Sequence, residues 1–156
     1  MIPKIIHLCW LSGEPYPELV QKCIDSWHRY LPDYEIRLWD KNAFDISSVL
    51  WVRQAVERRK YAFAADYIRF YALYHHGGIY LDSDVETLKS FDELLHRREF
   101  LGEEANGDVE AAVMGTEKGA QWVRECLDYY ESRPFVRPDG SLDMRSVPLR
   151  IDDVLL

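Results

Sequence analysis

Short apolar runs and sets of apolar residues at helical spacing alternate along the first part of this chain. Residues 5–11 form a short apolar run, which predicts a buried first strand. Residues 18–30 carry apolar side chains at helical spacing, and Pro32 ends the predicted helix. Residues 34–39 predict a second strand. This β-α-β beginning predicts an α/β domain whose sheet is mostly parallel.

Further helices and strands are predicted as far as residue 131, and the pattern weakens from Ser132 onward. Proline and glycine interrupt that last segment repeatedly, as is typical of irregular structure. We therefore divide the chain into a domain over residues 1–131 and a weakly patterned segment over residues 132–156. The predicted helices cover residues 49–60, 61–74 and 118–131, and the predicted strands cover residues 79–81, 100–102 and 111–115.

The stretch from Tyr61 to Glu86 carries the strongest local signals. Between Tyr61 and Tyr74 the only charged residues are Asp66 and Arg69, and a helix that is apolar nearly all round is a buried one. The two charges lie three positions apart and therefore share a helix face. Burying ions is costly unless they are paired or bound to a ligand. The pair is thus an internal ion pair, a ligand site, or both, because a paired guanidinium keeps free donors.

A double glycine and a short strand lead from this helix to two carboxylates. Gly77 is placed to end the helix with a positive φ, and Asp82 and Asp84 follow the strand. If the chain stays extended there, both carboxylates point to one side and repel each other unless a cation lies between them. Mg²⁺ and Mn²⁺ take one or two carboxylates together with water and substrate phosphates. Open α/β sheets bind ligands at the C-terminal ends of strands, so these residues predict a metal-phosphate site.

Three motifs together resemble the sugar-nucleotide core of glycosyltransferase family 32. They are I-P-K-I-I-H-x-x-W-x-S-G from Ile2, A-x-x-x-D-x-x-R from Ala62, and L-Y-x-x-G-G-x-Y-x-D-x-D-V from Leu73. The group includes bacterial capsule and exopolysaccharide transferases and the yeast initiating α-1,6-mannosyltransferase. The resemblance extends from Ile2 to about Tyr130, and it implies a Rossmann-like nucleotide-sugar transferase domain of the GT-A type.

The resemblance also implies an activity. The expected reaction is metal-dependent transfer of a hexose from a UDP- or GDP-linked donor to a saccharide or lipid-linked acceptor. It would proceed with retention of anomeric configuration and serve glycan or polysaccharide synthesis, such as that of a capsule. The expected cofactor is Mn²⁺ or Mg²⁺.

Roles for single residues follow from the same resemblance. Trp10 is expected to stack on the nucleotide base, and Tyr80 is expected to contact the diphosphate. For both residues, packing in the core is the alternative. Asp84 is expected to bind the metal directly, while Asp82 binds it through water or contacts the ribose. The implied nucleotide-sugar site comprises Trp10, Asp66, Arg69, Tyr80, Asp82 and Ser83. The implied catalytic residues are Asp66, Arg69, Asp82 and Asp84. The implied metal ligands are Asp82 and Asp84.

The chain departs from the family pattern in two places. Ala65 stands where many members have serine, which removes one hydrogen bond to the donor. No histidine or tryptophan follows Tyr130, whereas the family carries both near its sugar site, so we expect a C-terminally shortened chain. Glu103 and Glu104 are candidate carboxylates on the acceptor side.

Composition and charge narrow the class of partner. The 156 residues are 47% hydrophobic, which fits one globular domain. A net charge of −8 argues against nucleic acid as a partner. The same charge would repel a nucleotide diphosphate, so binding one needs local cations, such as a metal and Arg69. Three cysteines without a C-x-x-C pattern favour a reduced compartment. No stretch approaches the length of a membrane span, so we expect a cytoplasmic protein, compatible with peripheral association at the inner face of a membrane.

Three other functions stay open, because a bare D-x-D is a weak signal. A phosphohydrolase of the haloacid dehalogenase kind needs threonine or valine two places after the second aspartate, where this chain has Glu86. A nucleotidyltransferase needs a glycine-rich phosphate loop near the N-terminus, and none is present. A non-catalytic module that binds nucleotide-sugar is the third alternative.

Overall fold

Five strands form one mixed sheet with helices on both faces. The structure is a computed structural model that describes residues 1–103, 105, 107 and 109–145. Single turns of 3₁₀ helix occur at Ile46–Ser48 and Asp92–Leu94. The strands and α-helices of the described part are β1 (Ile5–Cys9), α1 (Glu18–Tyr30), β2 (Glu35–Trp39), α2 (Leu50–Glu57), α3 (Tyr61–His76), β3 (Gly78–Leu81), β4 (Glu99–Glu103), β5 (Val109–Thr116) and α4 (Gln121–Glu131).

The strand order is β2-β1-β3-β5-β4. The strand β1 pairs in parallel with both β2 and β3, as the β-α-β pattern predicts. The strand β5 runs antiparallel to both of its neighbours, so the sheet is mixed and not parallel at that side. Only a short connection, residues 104–108, separates β4 from β5, and such a connection suits an antiparallel pair, whereas a parallel pair needs a long crossover.

The core consists of two layers, one on each face of the sheet. Helices α2, α3 and α4 cover one face, and α1 covers the other. Side chains alternate along the strands accordingly: Ile79 and Leu81 enter the α1 layer, and Tyr80 enters the α3 layer. Eight residues of α3 are buried, including Asp66 and Arg69, which confirms the prediction of a buried central helix.

The junction between α3 and β3 depends on two glycines. Gly77 ends α3 with φ 67° and an extended ψ of 179°, and Gly78 follows with φ 115°. A Cβ on Gly77 would lie 2.7 Å from the backbone nitrogen of Lys118, and one on Gly78 would lie 2.6 Å from the carbonyl oxygen of Ile5. Both the positive φ and the close approach therefore require glycine.

The described part of the last segment packs on the domain. Phe135 is fully buried, with its ring centroid 5.0 Å from that of Trp51, and its backbone N–H donates to Gln54 Oε1. Residues 146–156, the rest of that segment, lie outside the described residues. Within the described part of the chain, none of the helices combines the length and the apolar character that crossing a membrane requires.

Candidate functional site

A cleft of about 370 Å³ opens where β1 and β3 end. The C-terminal ends of strands are the expected ligand side of an open α/β sheet. Every residue that the sequence predicts for the nucleotide-sugar and metal sites lines this cleft. These residues are Trp10, Asp66, Arg69, Tyr80, Asp82, Ser83 and Asp84.

Arg69 lies at the centre of a buried charge cluster at the base of this cleft. Its Nη2 is 3.2 Å from Asp66 Oδ1 and 3.4 Å from Asp82 Oδ1. Its Nη1 donates to the carbonyl oxygen of Ala111 at 3.0 Å, and its guanidinium carbon lies 4.6 Å from the centroid of the Tyr80 ring. Burial by itself would lower the pKa of Arg69, but the negative charges of Asp66 and Asp82 beside it hold that pKa above its ordinary value. The Asp66–Arg69 ion pair expected from the sequence is therefore present, and both of its members face the cleft.

Tyr80 is a core residue that also reaches the cleft. It is buried in the α3 layer, and its ring lies under the Arg69 guanidinium. Burial raises the pKa of the Tyr80 hydroxyl well above its ordinary value, and the neighbouring Asp82 carboxylate raises it further. The hydroxyl is therefore neutral at physiological pH, and it hydrogen-bonds to the Asp82 carboxylate at the floor of the cleft.

Asp82 and Asp84 lie on a turn, so the extended chain that would point both carboxylates to one side is not present. The strand β3 ends at Leu81. One more hydrogen bond of the sheet follows, from Asp82 N–H to the carbonyl oxygen of Ala112 at 2.9 Å. The N–H of Val85 then donates to the carbonyl oxygen of Asp82 at 3.0 Å, which closes the turn. The turn places the two carboxylates in different surroundings. Asp82 is half-buried beside Arg69, whereas Asp84 is exposed and has no hydrogen bond or ion pair with any residue that the structure describes.

The carboxylates of this turn suit a hard divalent cation. Both line the cleft, and no group of three or more histidine, cysteine or acidic residues with metal-site geometry occurs among the described residues. The protein would thus supply at most two carboxylate ligands. Mg²⁺ and Mn²⁺ commonly bind in this way and complete their coordination with water and phosphate oxygens.

Trp10 stands at the mouth of the cleft with its ring orientation already set. Its indole Nε1 donates to the carbonyl oxygen of Glu14 at 2.8 Å, and Tyr16 contacts it edge to face with the centroids 5.2 Å apart. The side chain is half-buried, and it also lines a second cavity of about 260 Å³. The contacts on Trp10 fix the orientation of a flat apolar surface that lines both cavities.

Sequence reasoning did not identify several other residues of the cleft. Tyr61 and Ser12 line the cleft. Tyr61 lies one helical turn before Ala65, and this spacing was the signal in the sequence that could have identified Tyr61. Cys9 also lines the cleft, and burial raises the pKa of its thiol to about 12, so the thiol stays protonated. Of the two candidate acceptor-side carboxylates, Glu103 is exposed on β4 and is not part of the cleft lining, and Glu104 lies outside the described residues.

Comparison with known proteins assigns the chain to a protein family. Residues 17–101 match the family described as glycosyltransferase sugar-binding region containing DXD motif. The chain belongs to this family. Asp82-Ser83-Asp84 is the one D-x-D sequence within the matched residues, so the turn at the cleft carries the motif for which this DXD glycosyltransferase family is described.

Two relatives of this DXD family member have names that refer to mannosyl groups and to ceramide. Inositol phosphoceramide mannosyltransferase 3 of Schizosaccharomyces pombe is 34% identical over 133 residues, which cover 81% of this chain and 36% of the relative. Mannosyl phosphorylinositol ceramide synthase SUR1 of Saccharomyces cerevisiae is 35% identical over 123 residues, which cover 74% of this chain and 31% of the relative. The chain therefore spans about a third of the length of these relatives.

A solved structure confirms the predicted fold class. The PaToxG glycosyltransferase superimposes with a TM-score of 0.69 at 17% sequence identity, over 99% of this chain and 68% of that chain. This DXD family member thus has the α/β nucleotide-sugar transferase fold of the GT-A type.

Proposed function

We propose that this chain forms the donor site of a metal-dependent glycosyltransferase. The reaction is transfer of a hexose from a nucleotide-sugar to a lipid-linked or saccharide acceptor. The observation that carries the proposal is the meeting of Arg69, Asp82 and Asp84 in one cleft, with the last two forming the D-x-D of the matched family. A phosphohydrolase or a nucleotidyltransferase has no comparable support, because the same D-x-D belongs to a glycosyltransferase family.

The relatives favour particular substrates within this class. Their names specify mannose as the sugar and inositol phosphoceramide as the acceptor. We therefore favour a mannosyl donor and a lipid-linked acceptor over the polysaccharide of a capsule. An acceptor of this kind lies in a membrane, so we also propose peripheral association with its cytoplasmic face.

The two carboxylates of the motif have different tasks in this proposal. Asp84 is exposed and offers its carboxylate to Mn²⁺ or Mg²⁺. Asp82 is oriented by Arg69 at 3.4 Å and faces the same ion or the ribose. Asp84 and Asp82 would hold a divalent ion here, and such an ion would supply positive charge against the charge of the leaving diphosphate. The arrangement thereby overcomes the repulsion between an anionic donor and a chain with a net charge of −8.

Arg69 and Asp66 provide contacts for the sugar. Three guanidinium N–H groups donate to protein acceptors: Nε to the carbonyl oxygen of Ala65, Nη1 to that of Ala111, and Nη2 to the carboxylate of Asp66, while Nη2 also forms an ion pair with Asp82. One N–H on Nη1 is therefore left for a ligand in the cleft. Its contact with a sugar hydroxyl would be charge-assisted and strongly directional. Retention of anomeric configuration stays a prediction from the family resemblance.

Calorimetric titration tests the proposal directly. UDP and GDP are each titrated with Mn²⁺ present and again with a chelator, and transfer is then assayed with the mannose donor of the base that binds. We expect metal-dependent binding of one nucleotide and release of that nucleotide on turnover. Absence of binding under every condition contradicts the proposal. Metal-dependent binding with no turnover on any acceptor supports the non-catalytic nucleotide-sugar module instead.

A further inference from the structure

Four cations lie together at the junction between α2 and α3, on a chain whose net charge is −8. Arg58, Arg59 and Lys60 are consecutive, and all three are exposed. Lys41 joins them through Tyr61, the next residue along the chain, because the Lys41 Nζ lies 5.7 Å from the centroid of the Tyr61 ring. We call these four basic side chains the junction patch.

The positive charge of the junction patch is not neutralised within the described part of the chain. Its side chains make no hydrogen bond or ion pair with the residues that the structure describes. Residues 46–65 contain four cations and a single acid, Glu57. Several other exposed cations of the chain are paired, as Lys4 is with Asp33. The junction patch is therefore free to pair with anions outside the chain.

The backbone under the junction patch is fixed, and it holds one arginine in a strained conformation. Helix α2 ends in a Schellman motif. Arg59 N–H donates to the carbonyl oxygen of Val56 at 2.9 Å, and Lys60 N–H donates to that of Ala55 at 2.8 Å. Arg59 has φ 57°, and it is the only residue other than glycine with a positive φ in the described part of the chain. Folding alone favours glycine at this position of the motif, so the arginine points to a use for its charge.

Helix dipoles do not account for the junction patch. Cations are favourable at the C-terminus of a helix, and Arg58 caps the C-terminus of α2. The N-terminus of α3 begins at Tyr61, directly after Lys60, and its positive end disfavours the same cations. The two dipoles thus oppose each other at this junction.

The junction patch borders the mouth of the cleft. Tyr61 and Ala62 are the first two residues of α3 and line the cleft, and Lys60 directly precedes them. None of the four basic residues lines the cleft or the cavity beside Trp10. The patch is an outward-facing rim and not a pocket, so it suits an extended layer of negative charge better than a single enclosed phosphate.

We propose that the junction patch docks this chain onto an anionic lipid bilayer and turns the mouth of the cleft towards the membrane. Charge complementarity carries the choice of partner, since about four to eight clustered cations are typical of anionic-lipid recognition. The net charge of −8 does not prevent docking, because charges more than about 8 Å from the lipid surface are largely screened at physiological salt. The inference rests on the proposed function and deepens it by naming the surface for its peripheral association.

Co-sedimentation of the whole chain with vesicles tests the proposal. Vesicles of phosphatidylcholine alone are compared with vesicles that also contain phosphatidylserine, at low and at high salt. We expect binding that requires phosphatidylserine and is lost at high salt. The double variant Arg58→Gln/Lys60→Gln should weaken this binding about twentyfold, since each cation near an anionic surface contributes roughly fivefold.

Two further variants separate local charge from net charge and from folding. Arg97→Gln/Arg98→Gln is the matched control, because these exposed arginines precede β4 at the end of the sheet opposite the D-x-D turn. It removes the same charge and should bind vesicles as the unchanged protein does. Arg59→Gly relieves the positive φ, so its thermal midpoint should not fall, while its vesicle binding should weaken roughly fivefold.

Several outcomes would overturn the docking surface. They are equal binding to both kinds of vesicle, an equal loss in the two double variants, and full binding by Arg59→Gly. Single-stranded RNA that binds the patch as tightly as phosphatidylserine vesicles would also overturn it, because the patch would then be a general polyanion surface.

Nucleotide binding distinguishes this proposal from the donor site. Calorimetry of UDP and GDP with Mn²⁺ should give the same result for Arg58→Gln/Lys60→Gln as for the unchanged protein. An unchanged protein that binds a nucleotide but no vesicles contradicts the docking surface alone. An unchanged protein that binds phosphatidylserine vesicles but neither nucleotide contradicts the donor site.

Discussion

His7 Nε2 lies 2.8 Å from the carbonyl oxygen of Gly77, which joins the middle of β1 to the glycine that directly precedes β3. The other ring nitrogen, Nδ1, accepts the indole N–H of Trp39 at 3.0 Å. Because the indole can only donate, Nδ1 is unprotonated and Nε2 donates to the carbonyl. A single buried imidazole therefore links β1, β2 and the start of β3, the three strands whose ends carry the site.

Stability should fall at mildly acidic pH because of His7. Burial lowers the pKa of His7 from 6.5 to about 4, so the unfolded chain binds this proton more tightly than the folded chain between those values. The contribution is fully present above pH 6.5 and is lost as pH falls towards 4. Between pH 7 and pH 5 the free energy of unfolding should fall by about 2 kcal/mol on this account.

Urea unfolding at both pH values measures this effect. His7→Gln retains one donor and one acceptor but does not titrate, so its stability should change less between the two pH values. The exposed His28→Gln is the control and should follow the unchanged protein. An equal pH dependence in all three proteins would contradict the assignment to His7.

Removing Arg69 should cost stability as well as binding. The variant Arg69→Ala leaves Asp66 and Asp82 without the cation between them, and breaking a buried ion pair in this way costs about 3–5 kcal/mol. Denaturant unfolding checks the loss, with the exposed Arg53→Ala as control, which should stay within about 0.5 kcal/mol. A midpoint for Arg69→Ala equal to that of the control would show that the cluster contributes little to folding.

Replacing Asp84 should affect binding but not folding. Its carboxylate is exposed and makes no hydrogen bond or ion pair with the described residues, so Asp84→Asn should change the free energy of unfolding by less than about 0.5 kcal/mol. The Mn²⁺-dependent part of nucleoside diphosphate binding should fall at least about tenfold, because a neutral amide is a poor ligand for a hard cation. Calorimetry of the variant beside Asp139→Asn, an exposed aspartate in another turn, measures both effects. Unaltered metal dependence in Asp84→Asn would refute the direct metal role.

A methyl group at the α3–β3 junction should destabilise the fold strongly. In Gly78→Ala the new Cβ would meet the Ile5 carbonyl oxygen at 2.6 Å, in addition to the strain of φ 115°. We expect a loss of roughly 3 kcal/mol or more, as is typical of such large effects. Gly119→Ala is the matched control, since it has φ 77° but open space around its Cβ, and it should lose only about 1–2 kcal/mol. Similar losses for both variants would mean that the close approach to Ile5 is unimportant.

Much of this architecture could be predicted from local sequence. The helix predicted over residues 18–30 has the observed bounds of α1, and the strand predicted over residues 34–39 differs from β2 by one residue. Spacing was sufficient there because an amphipathic helix repeats every 3.6 residues and a strand every two, so the pattern itself identifies the element. The Asp66–Arg69 ion pair could be predicted from residue types, since few structures other than a binding site or an ion pair tolerate buried charge.

The sequence by itself determined the order and type of the elements, the buried central helix and seven of the residues that line the cleft, namely Trp10, Asp66, Arg69, Tyr80, Asp82, Ser83 and Asp84. Only the tertiary structure decided the reversed direction of β5, the turn that separates the surroundings of Asp82 and Asp84, and the meeting of Trp10 with Asp82. The physical reason is the range of the interactions. Helical and strand periodicity reflects neighbours a few residues apart. Strand direction and the meeting of Trp10 and Asp82 in one cleft depend instead on which distant segments pair in the sheet, and no local pattern of apolar residues encodes that choice.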